Sequence, residues 1–460
     1  MQENKYDVII VGAGPAGIFT ALELYKQKKP RILVLEKGSD INKRNCYSAG
    51  KQASCRRCNP CDIMSGWGGA GAFSDGKLTL TSEFGGHLSE YLEDSRVKEL
   101  IEYVDQVYLE MGATPQVYGG DKDKIKELQR QAATADLSLI PASIRHLGTE
   151  NCYKILCKLR EELAEKVDII TGEKVKEAAV ENQELKGVYT ESGRYYGADF
   201  VVYAPGRSGS EWIFNEARRL GLKGMNNPVD IGVRVEIPAV IMEHITSAVY
   251  ESKLIYYSPS FDDRVRTFCM NPYGEVVTEN NQGLITVNGH SYADKKTDNT
   301  NFALLVSKTF TEPFKEPISY GKNIASLANM LGDGAIVQRL GDLMVGRRST
   351  EERIQRGLIV PTLPEATPGD LSLVLPYRHL LSILEMMEAL DKLAPGVNSR
   401  HTLFYGVEVK FYSFRLELTP RLETGLENLF AIGDGAGVTR GLIQASASGV
   451  VAGREIAGRI

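Results

Sequence analysis

The 460-residue sequence predicts an α/β fold of two domains, one built from both ends of the chain and one inserted between them. Two observations lead to this prediction. An apolar, β-branched run at 7–11, an amphipathic stretch at 18–26 and a second apolar run at 31–35 follow one another as in a βαβ unit. Near the other end, an apolar run closes in Gly433-Asp434 and precedes a helical stretch rich in Ala, Ser and Gly.

The turn after the first predicted strand reads G-x-G-x-x-G, the pattern of a Rossmann-like dinucleotide-binding domain. Gly12 permits the tight turn, Gly14 lets the backbone approach a pyrophosphate, and Gly17 lets the helix pack closely on the strand. Pro15 and Ala16 open the helix, whose free N–H groups and partial positive charge favour phosphates.

An acidic residue stands where such a domain needs one. The second predicted strand ends at Glu36, next to Lys37, about 20 residues beyond the turn, where a carboxylate accepts hydrogen bonds from ribose hydroxyls. Strand, turn, helix and acid together favour a dinucleotide site over a turn formed for packing alone.

The middle of the chain has prolines, polar loops and no glycine fingerprint, which indicates a separate mixed α/β domain. We therefore predict a nucleotide-binding domain over 1–215 and 401–460, with an inserted substrate or cap domain over 216–400. Further helices are predicted at 95–111, 121–133, 151–166 and 379–393, and further strands at 167–170, 200–204, 231–237 and 284–288.

Composition narrows the class of protein. The net charge of -5 argues against a general nucleic-acid binder, and no apolar run approaches the length of a membrane helix. The first strand begins too early to leave room for a signal peptide, and the odd count of seven cysteines excludes a complete disulfide framework. We expect a cytoplasmic protein without nucleic-acid or membrane partners.

Two later segments resemble flavoproteins of the glutathione-reductase-like fold. The stretch T…LFAIGD at 424–434 is similar to the one whose aspartate bonds the ribityl chain of FAD, and 200–206 is similar to the strand and turn of that superfamily. Three fingerprints in this order favour FAD over NAD. The resemblance implies FAD contacts from Ala204, Pro205, Gly206, Gly433 and Asp434, and adenine contacts from the backbone of Lys174 and Val175.

Two further segments suit a flavin. A helix beginning near Arg440, Gly441 and Leu442 would stabilise negative charge on the flavin pyrimidine ring through its N-terminus, and Arg440 would add to this effect. The glycine-rich loop at 68–71 suits close approach to a flat ring or a phosphate. From that region we expect cofactor contacts by Gly69, Ala70, Gly71 and Lys77.

Six segments across the chain resemble an uncharacterised family of FAD-dependent dehydrogenases within the glutathione-reductase-like superfamily, which has two dinucleotide-binding folds. They are SGWGGAGAFSDGKL at 65–78, RHLGTE at 145–150, FCMNP at 268–272, NGHS at 288–291, EVKFYS at 408–413 and GDGAGVTRG at 433–441. The resemblance implies FAD and redox chemistry without assigning a substrate.

Candidate catalytic residues are Arg145, His290 and Lys410. Arg145 lies in a motif of the resemblance and suits a carboxylate, His290 follows a predicted strand end, and Lys410 lies in the strand that leads back to the flavin segment. A surface or structural role is an equally open interpretation of each. Because no second G-x-G-x-x-G occurs, NAD(P)H is expected only as a diffusible electron donor, with a carrier protein or the substrate itself as alternatives.

Four cysteines form a C-x8-C-x2-C-x2-C cluster: Cys46, Cys55, Cys58 and Cys61. The spacing fits an iron–sulfur cluster or tetrahedral zinc, but an unligated loop and a redox dithiol remain alternatives. Two functions are therefore consistent with the sequence. The first is an oxidoreductase for a small, anionic organic substrate, and the second is a flavin and metal-thiolate electron carrier that acts on a protein partner.

Overall fold

The computed structural model describes residues 5–46, 58–74, 76–225, 227–281, 283–292, 295–308, 310, 316–410 and 414–460. The strands are β1 Lys5–Val11, β2 Ile32–Glu36, β3 Lys77–Thr79, β4 Ser138–Ile140, β5 Ile144–His146, β6 Asp168–Thr171, β7 Val175–Glu181, β8 Glu184–Thr190, β9 Tyr195–Tyr203, β10 Gly224–Met225, β11 Val229–Pro238, β12 Lys253–Tyr257, β13 Arg264–Asn271, β14 Glu275–Asn281, β15 Leu284–His290, β16 Asn299–Lys308, β17 Ile336–Arg339, β18 Thr367–Pro368, β19 Leu403–Lys410, β20 Arg415–Leu416 and β21 Leu429–Ala431. The helices are α1 Pro15–Gln27, α2 Asp94–Glu110, α3 Lys122–Thr134, α4 Thr149–Ala164, α5 Ser210–Leu220, α6 Ala239–Val249, α7 Pro317–Gly332, α8 Leu340–Leu343, α9 Glu351–Gln355, α10 Tyr377–Leu393 and α11 Leu442–Arg459.

The first sheet has seven strands and combines strands from the N-terminal and C-terminal parts of the chain. Its order is β6-β2-β1-β9-β8-β7, with β21 paired to β9. β6, β2, β1, β9 and β21 run parallel, while β7 and β8 form an antiparallel extension. Parallel strands bring their carboxyl ends to one edge, so the turns after β1, β2, β9 and β21 lie together. The predicted α/β fold is confirmed.

The second sheet has eight strands, in the order β18-β17-β19-β11-β16-β13-β12-β4, and is largely antiparallel. Two of its strands, β4 and β19, come from outside the predicted insertion of 216–400. Sheet membership follows from which strand edges meet in space, and a local apolar pattern does not show that. The division into three sequence segments therefore stays a prediction.

Each sheet has its own buried core. The first core packs β1, β2 and β9 against α1 and α11, and the second packs β11, β16 and β19 against α6, α7 and α10. α1 and α11 touch at Gly449, where a Cβ atom would stand 2.2 Å from the carbonyl oxygen of Ala16. Within the described residues, no helix has both the length and the apolar character of a membrane span.

Candidate functional site

A cavity of about 2280 Å³ lies between the carboxyl edge of the first sheet and the second sheet. One wall consists of the turns after β1, β2 and β9 together with the start of α11, and we call it the nucleotide wall. The other consists of β12, β13 and the β14–β15 hairpin, and we call it the cation wall after Lys253, Arg264 and Arg266, which line it together with Glu275 and Glu279. Ligand pockets commonly measure about 300–1,000 Å³, so this cavity has room for a large cofactor and a substrate.

The glycine turn after β1 is shaped for close approach. Gly12 has φ +109°, and a Cβ atom there would stand 2.2 Å from the carbonyl oxygen of Ala204. Gly14 precedes α1 without a side-chain cap and has open space where its Cβ would lie, so the helix N-terminus is accessible to a phosphate. Pro15 and Ala16 also line the cavity, whereas a Cβ on Gly17 would clash with the Gly12 carbonyl, so Gly17 serves packing.

The Glu36 carboxylate connects three backbone segments of the nucleotide wall. It accepts hydrogen bonds from the backbone N–H groups of Ala13 at 2.9 Å, Gly38 at 2.8 Å and Gly66 at 2.9 Å. Glu36 also lines the cavity, and its contact with a ribose stays a prediction.

The neighbouring cofactor candidates line the same cavity. The Lys37 amine donates to the carbonyl of Ser208 at 3.2 Å, and burial lowers the pKa of Lys37. The other candidates found in this part of the wall are Lys174, Val175, Ala204, Pro205 and Gly206.

Arg44 holds the glycine-rich loop in place. Its guanidinium donates to the carbonyl oxygens of Trp67 at 2.6 Å, Gly69 at 2.8 Å, Asp62 at 2.9 Å and Ile63 at 2.8 Å. Burial lowers the pKa of Arg44 to about 10. These bonds hold the loop that brings Gly69, Ala70 and Gly71 to the cavity. No sequence pattern pointed to Arg44, because its partners are backbone groups.

The segment between β21 and α11 closes the nucleotide wall. Thr439 donates to the Asp434 carboxylate at 2.7 Å, Arg207 lies 3.9 Å from it, and burial raises the pKa of Asp434. α11 begins after Gly441 without a side-chain cap, and the residues at its N-terminus line the cavity. The candidates Gly433, Asp434, Arg440, Gly441 and Leu442 all line the cavity.

The residues of the nucleotide wall fit FAD. Two uncapped helix N-termini, those of α1 and α11, open onto one cavity, with a glycine turn beside the first and Arg440 beside the second. Such N-termini favour a pyrophosphate and a developing negative charge on a ring. The residues present therefore suit a long cofactor with phosphates at one end and an electron-accepting ring at the other.

Lys253 is prominent in the cation wall, and sequence analysis missed it. Its Nζ lies 3.8 Å from the ring centroid of Phe84. Burial, with Arg266 next, lowers the pKa of Lys253 to about 7, while Glu251 opposes the shift. Lys77 also lines the cavity, where its Nζ lies 3.5 Å from Glu251.

Two of the three predicted catalytic residues meet at the carboxylate of Glu279, whose side chain is 13% exposed. The Nζ of Lys410 lies 3.8 Å from Glu279, and the charge of His290 also acts on that carboxylate. Burial would raise the pKa of Glu279, but the charges of Lys410 and Arg207 outweigh burial and lower it to about 2. Glu279, Lys410 and His290 all line the cavity.

The third predicted catalytic residue, Arg145, is engaged elsewhere. Its guanidinium forms a bidentate ion pair with Asp105 at 2.8 and 2.7 Å and donates to the carbonyl of Thr114 at 2.6 Å. Arg145 is buried and does not line the cavity. Its position on β5 directs it to α2, a contact that the motif RHLGTE does not reveal.

Three of the four clustered cysteines, Cys46, Cys58 and Cys61, line the cavity, and Cys55 lies outside the described residues. Burial raises the pKa of Cys61, and the nearby Cys58 and Cys46 add to the shift. Among the described residues, no group of His, Cys, Asp or Glu is arranged to hold a metal ion. The four-cysteine site thus stays a prediction.

Two protein families match parts of the chain. Residues 7–53 match the family described as an FAD binding domain. Residues 228–411 match the family described as the C-terminal domain of an FAD-dependent protein. The first match covers the glycine turn and Glu36, and the second covers the cation wall from β11 to β19. FAD is therefore the cofactor to which the nucleotide wall belongs.

A protein of Clostridium beijerinckii described as uncharacterised is 27% identical over 99% of this chain and 81% of its own length. Glycine oxidase from Geobacillus kaustophilus aligns over 99% of this chain and 95% of its own, at 13% identity and a TM-score of 0.41. L-Proline dehydrogenase from P. horikoshii aligns over 97% and 91%, at 12% identity and a TM-score of 0.40. These similarities are too low to indicate an activity.

Proposed function

We propose that this FAD-dependent oxidoreductase is a dehydrogenase or reductase that transfers a hydride to or from a small, anionic organic substrate. The observation that carries the proposal is the shared cavity, which has a nucleotide wall on one side and basic side chains on the other. When bound, FAD supplies the redox step, because its ring takes up and returns a hydride. The protein supplies the binding, the orientation and the proton-handling groups.

The proposed FAD site follows the nucleotide wall from one uncapped helix N-terminus to the other. Gly12 and Gly14 would admit the pyrophosphate to α1, and Asp434 and Arg440 would hold the end near α11. We assign this domain to the glutathione-reductase-like superfamily. The support is the order of its three fingerprints along the chain.

The preference for an anion rests on charge. Lys253, Arg264 and Arg266 line the same cavity as the nucleotide wall. Basic groups in a partly water-excluded cleft raise the local concentration of anions and hold them more strongly than in bulk water. We therefore expect a carboxylate or phosphate on the substrate.

Lys410 and His290 are the proposed proton-handling groups. Both line the cavity, and the charges of both act on the carboxylate of Glu279. A group that must hold a proton while a hydride leaves or arrives needs such a fixed counter-charge. Glu279 is a positioning residue in this scheme.

The test is anaerobic reduction of the bound flavin by matched pairs of small molecules. Each pair would consist of a carboxylic acid and its amide, with NADH and NADPH tested alongside as electron donors. We expect an acid to bleach the flavin absorbance at a rate at least tenfold above that of its amide. Equal rates for acid and amide, or bleaching only by an electron-carrier protein, would contradict the proposal.

A second candidate function is electron transfer to a protein partner through the thiols. The observation that favours it is the position of Cys46, Cys58 and Cys61 in the wall of the same cavity. Iron and zinc analysis of the purified protein tests it, with about one metal site per chain expected.

The free thiols of the described cysteines also agree with our proposal that the protein works in the reducing cytoplasm.

A further inference from the structure

Among the described residues, Lys253 and Lys37 are the cavity lysines that form no ion pair, and Lys37 instead donates to the carbonyl of Ser208. Lys77 lies beside Glu251, Lys295 pairs with Glu275, and Lys410 lies 3.0 Å from Glu408. Within the described part of the chain, Lys253 forms no ion pair, and its Nζ contacts the ring of Phe84. An ammonium group in this setting lacks the counter-charge that buried cations normally have.

Neighbouring side chains add further positive charge around Lys253. The charges that act most strongly on it come from Arg266, Arg264 and Arg440, with Glu251 as the opposing carboxylate. Glu251 is shared with Lys77, and Arg266 is itself paired with Asp230. Positive charge therefore exceeds negative charge at this point of the cavity wall.

This cation group lies beside the start of α11. The carbonyl of Phe84 accepts a hydrogen bond from Gln444 at 3.2 Å, and the backbone N–H of Arg440 donates to Gly85 at 2.8 Å. The loop that carries Phe84 thus connects Lys253 to the helix N-terminus at which the proposed function places the redox-active end of FAD.

We propose that Lys253, with Arg266 and Arg440, forms the subsite that binds the oxyanion head group of the substrate. The inference rests on the proposed function and deepens it, since it names the atoms that select the substrate. A carboxylate or a phosphate bound there would supply the missing counter-charge and accept a charge-assisted hydrogen bond from the Lys253 ammonium.

The subsite predicts proton uptake on binding. Because the pKa of Lys253 is lowered to about 7, much of the amine is neutral in the free protein above that pH. A bound oxyanion favours the ammonium, so the neutral fraction must take up a proton. Proton uptake per ligand should therefore be larger at pH 8 than at pH 6. The apparent dissociation constant should rise about tenfold from pH 6 to pH 8.

Other charged groups around Lys253 do not account for such a change. Those facing it or its partners are Arg264 and Arg266 on β13, Arg440 before α11, Glu251 before β12, Lys77 on β3, Asp230 on β11, and His87 and Asp434, which act on Arg440. Burial, with Arg440 next, lowers the pKa of His87, which favours the neutral imidazole at pH 6 to 8. β4, which pairs with Lys253, contributes only Ser138–Ile140. Arginine and carboxylate side chains keep their charge between pH 6 and 8 in the absence of large shifts.

The experiment is calorimetric titration of the FAD-loaded protein with benzoate, phenyl phosphate and benzamide. Titrations at pH 6 and pH 8, in buffers of different ionisation enthalpy, give both affinity and proton uptake. We expect benzoate, phenyl phosphate or both to bind at least tenfold more tightly than benzamide. Benzoate should show the proton uptake given above at both pH values. Uptake with phenyl phosphate is read at pH 8 alone, because its own second pKa is about 6. The anion that binds more tightly identifies the head group as a carboxylate or a phosphate.

Three variants locate the effect. Lys253→Met should weaken anion binding at pH 6 about 10- to 100-fold, as loss of a charged hydrogen bond implies, and abolish proton uptake. Lys253→Arg should keep the binding but lose its pH dependence, since guanidinium does not titrate in this range. The matched control Lys295→Met, also in the cavity wall, should behave as the wild type. Flavin content and thermal unfolding of each variant check that the fold is retained.

The inference is overturned if neither anion binds more tightly than benzamide, or if Lys253→Met retains the affinity and proton uptake of the wild type. Its failure is distinguishable from failure of the proposed function. Small acids would then still reduce the flavin, but without dependence on Lys253. In the opposite case, anion binding would depend on Lys253 but no small molecule would reduce the flavin. That result would support the subsite and contradict the proposed function.

Discussion

The two walls of the cavity are built from different kinds of sequence information. The nucleotide wall consists of turns at the ends of adjacent parallel strands, where backbone groups of short motifs do most of the binding. The cation wall consists of side chains from β12, β13 and the β14–β15 hairpin, and the loop carrying Phe84, which is distant in sequence, contacts it at Lys253. Local patterns therefore describe the first wall, and only the assembled fold describes the second.

The two sheets also differ in how they treat charge. Buried charges around the first sheet, such as Glu36 and Arg44, bond mainly to backbone groups, whereas the second sheet buries the ion pair of Arg234 and Glu408 with both side chains fully inaccessible. Arg234 also donates to Asn301 at 2.8 Å and to the carbonyl of Cys269 at 3.0 Å. We infer that the second sheet is the part whose stability depends on charge and pH.

The largest effect is expected from breaking that buried pair. Arg234→Met leaves the Glu408 carboxylate without its bidentate partner, which should lower the free energy of unfolding by about 3–5 kcal/mol. Urea unfolding followed by circular dichroism measures the change. Arg96→Met, which breaks the exposed pair with Glu99, is the control and should cost less than about 1 kcal/mol. Equal losses would contradict the contrast between buried and exposed pairs.

The next effect concerns the nucleotide wall. Gly12→Val places a branched side chain at positive φ and against the Ala204 carbonyl, so the turn must move away from the phosphate position. FAD affinity should fall at least about 100-fold, a loss of about 3 kcal/mol, measured by flavin absorbance after dialysis. Gly193→Val is the control, because Gly193 also has positive φ but open space around it. FAD loss in both variants would point to general strain instead of close approach.

A pH effect of about 2–3 kcal/mol is expected from His379 in the second domain. Burial lowers its pKa to about 4, and within the described residues its ring nitrogens have no hydrogen-bond partner. The unfolded chain, with an ordinary histidine, binds this proton first, so the contribution is complete above about pH 6.5 and falls away toward pH 4. His379→Leu should flatten the stability curve over that interval. The free energy of unfolding of both proteins is measured by urea unfolding at several pH values. Parallel curves for the variant and the wild type would contradict this prediction.

The smallest effect is expected at Arg44. Arg44→Met removes four hydrogen bonds to the backbone of 62–69, which should loosen the glycine-rich loop and weaken FAD binding about tenfold. Arg44→Lys should recover little, because one ammonium cannot reach four carbonyl groups arranged for a fork. Flavin titration of the apoprotein measures both variants. Full FAD affinity in the Met variant would show that the loop holds its shape without Arg44.

Much of the nucleotide wall was predictable from the sequence, and little of the cation wall was. Gly12, Glu36 and Asp434 stand in motifs whose spacing fixes their geometry, so their positions at one sheet edge follow from the strands that carry them. Lys253 and Arg266 lie in ordinary strands without any motif, and their role depends on which strands pair and what faces them.

Arg145 is the converse case, because it stands in a motif but does not line the cavity. A motif drew attention to it, yet its partner Asp105 lies 40 residues away on α2, a contact that no local spacing encodes. Glu279 escaped notice because a single glutamate in a hairpin is usually a solvated surface group. Its burial becomes visible only when β14 packs beside Lys410 and Arg207.

The most direct test of the account is a crystal structure of the FAD-loaded protein with benzoate soaked in. We predict that the pyrophosphate lies at Gly12 and Gly14, the flavin ring lies near the start of α11, and the benzoate carboxylate lies within hydrogen-bond distance of the Lys253 amine. A flavin ring directed toward Cys58 and Cys61, with benzoate absent from Lys253, would contradict the assignment of the two walls.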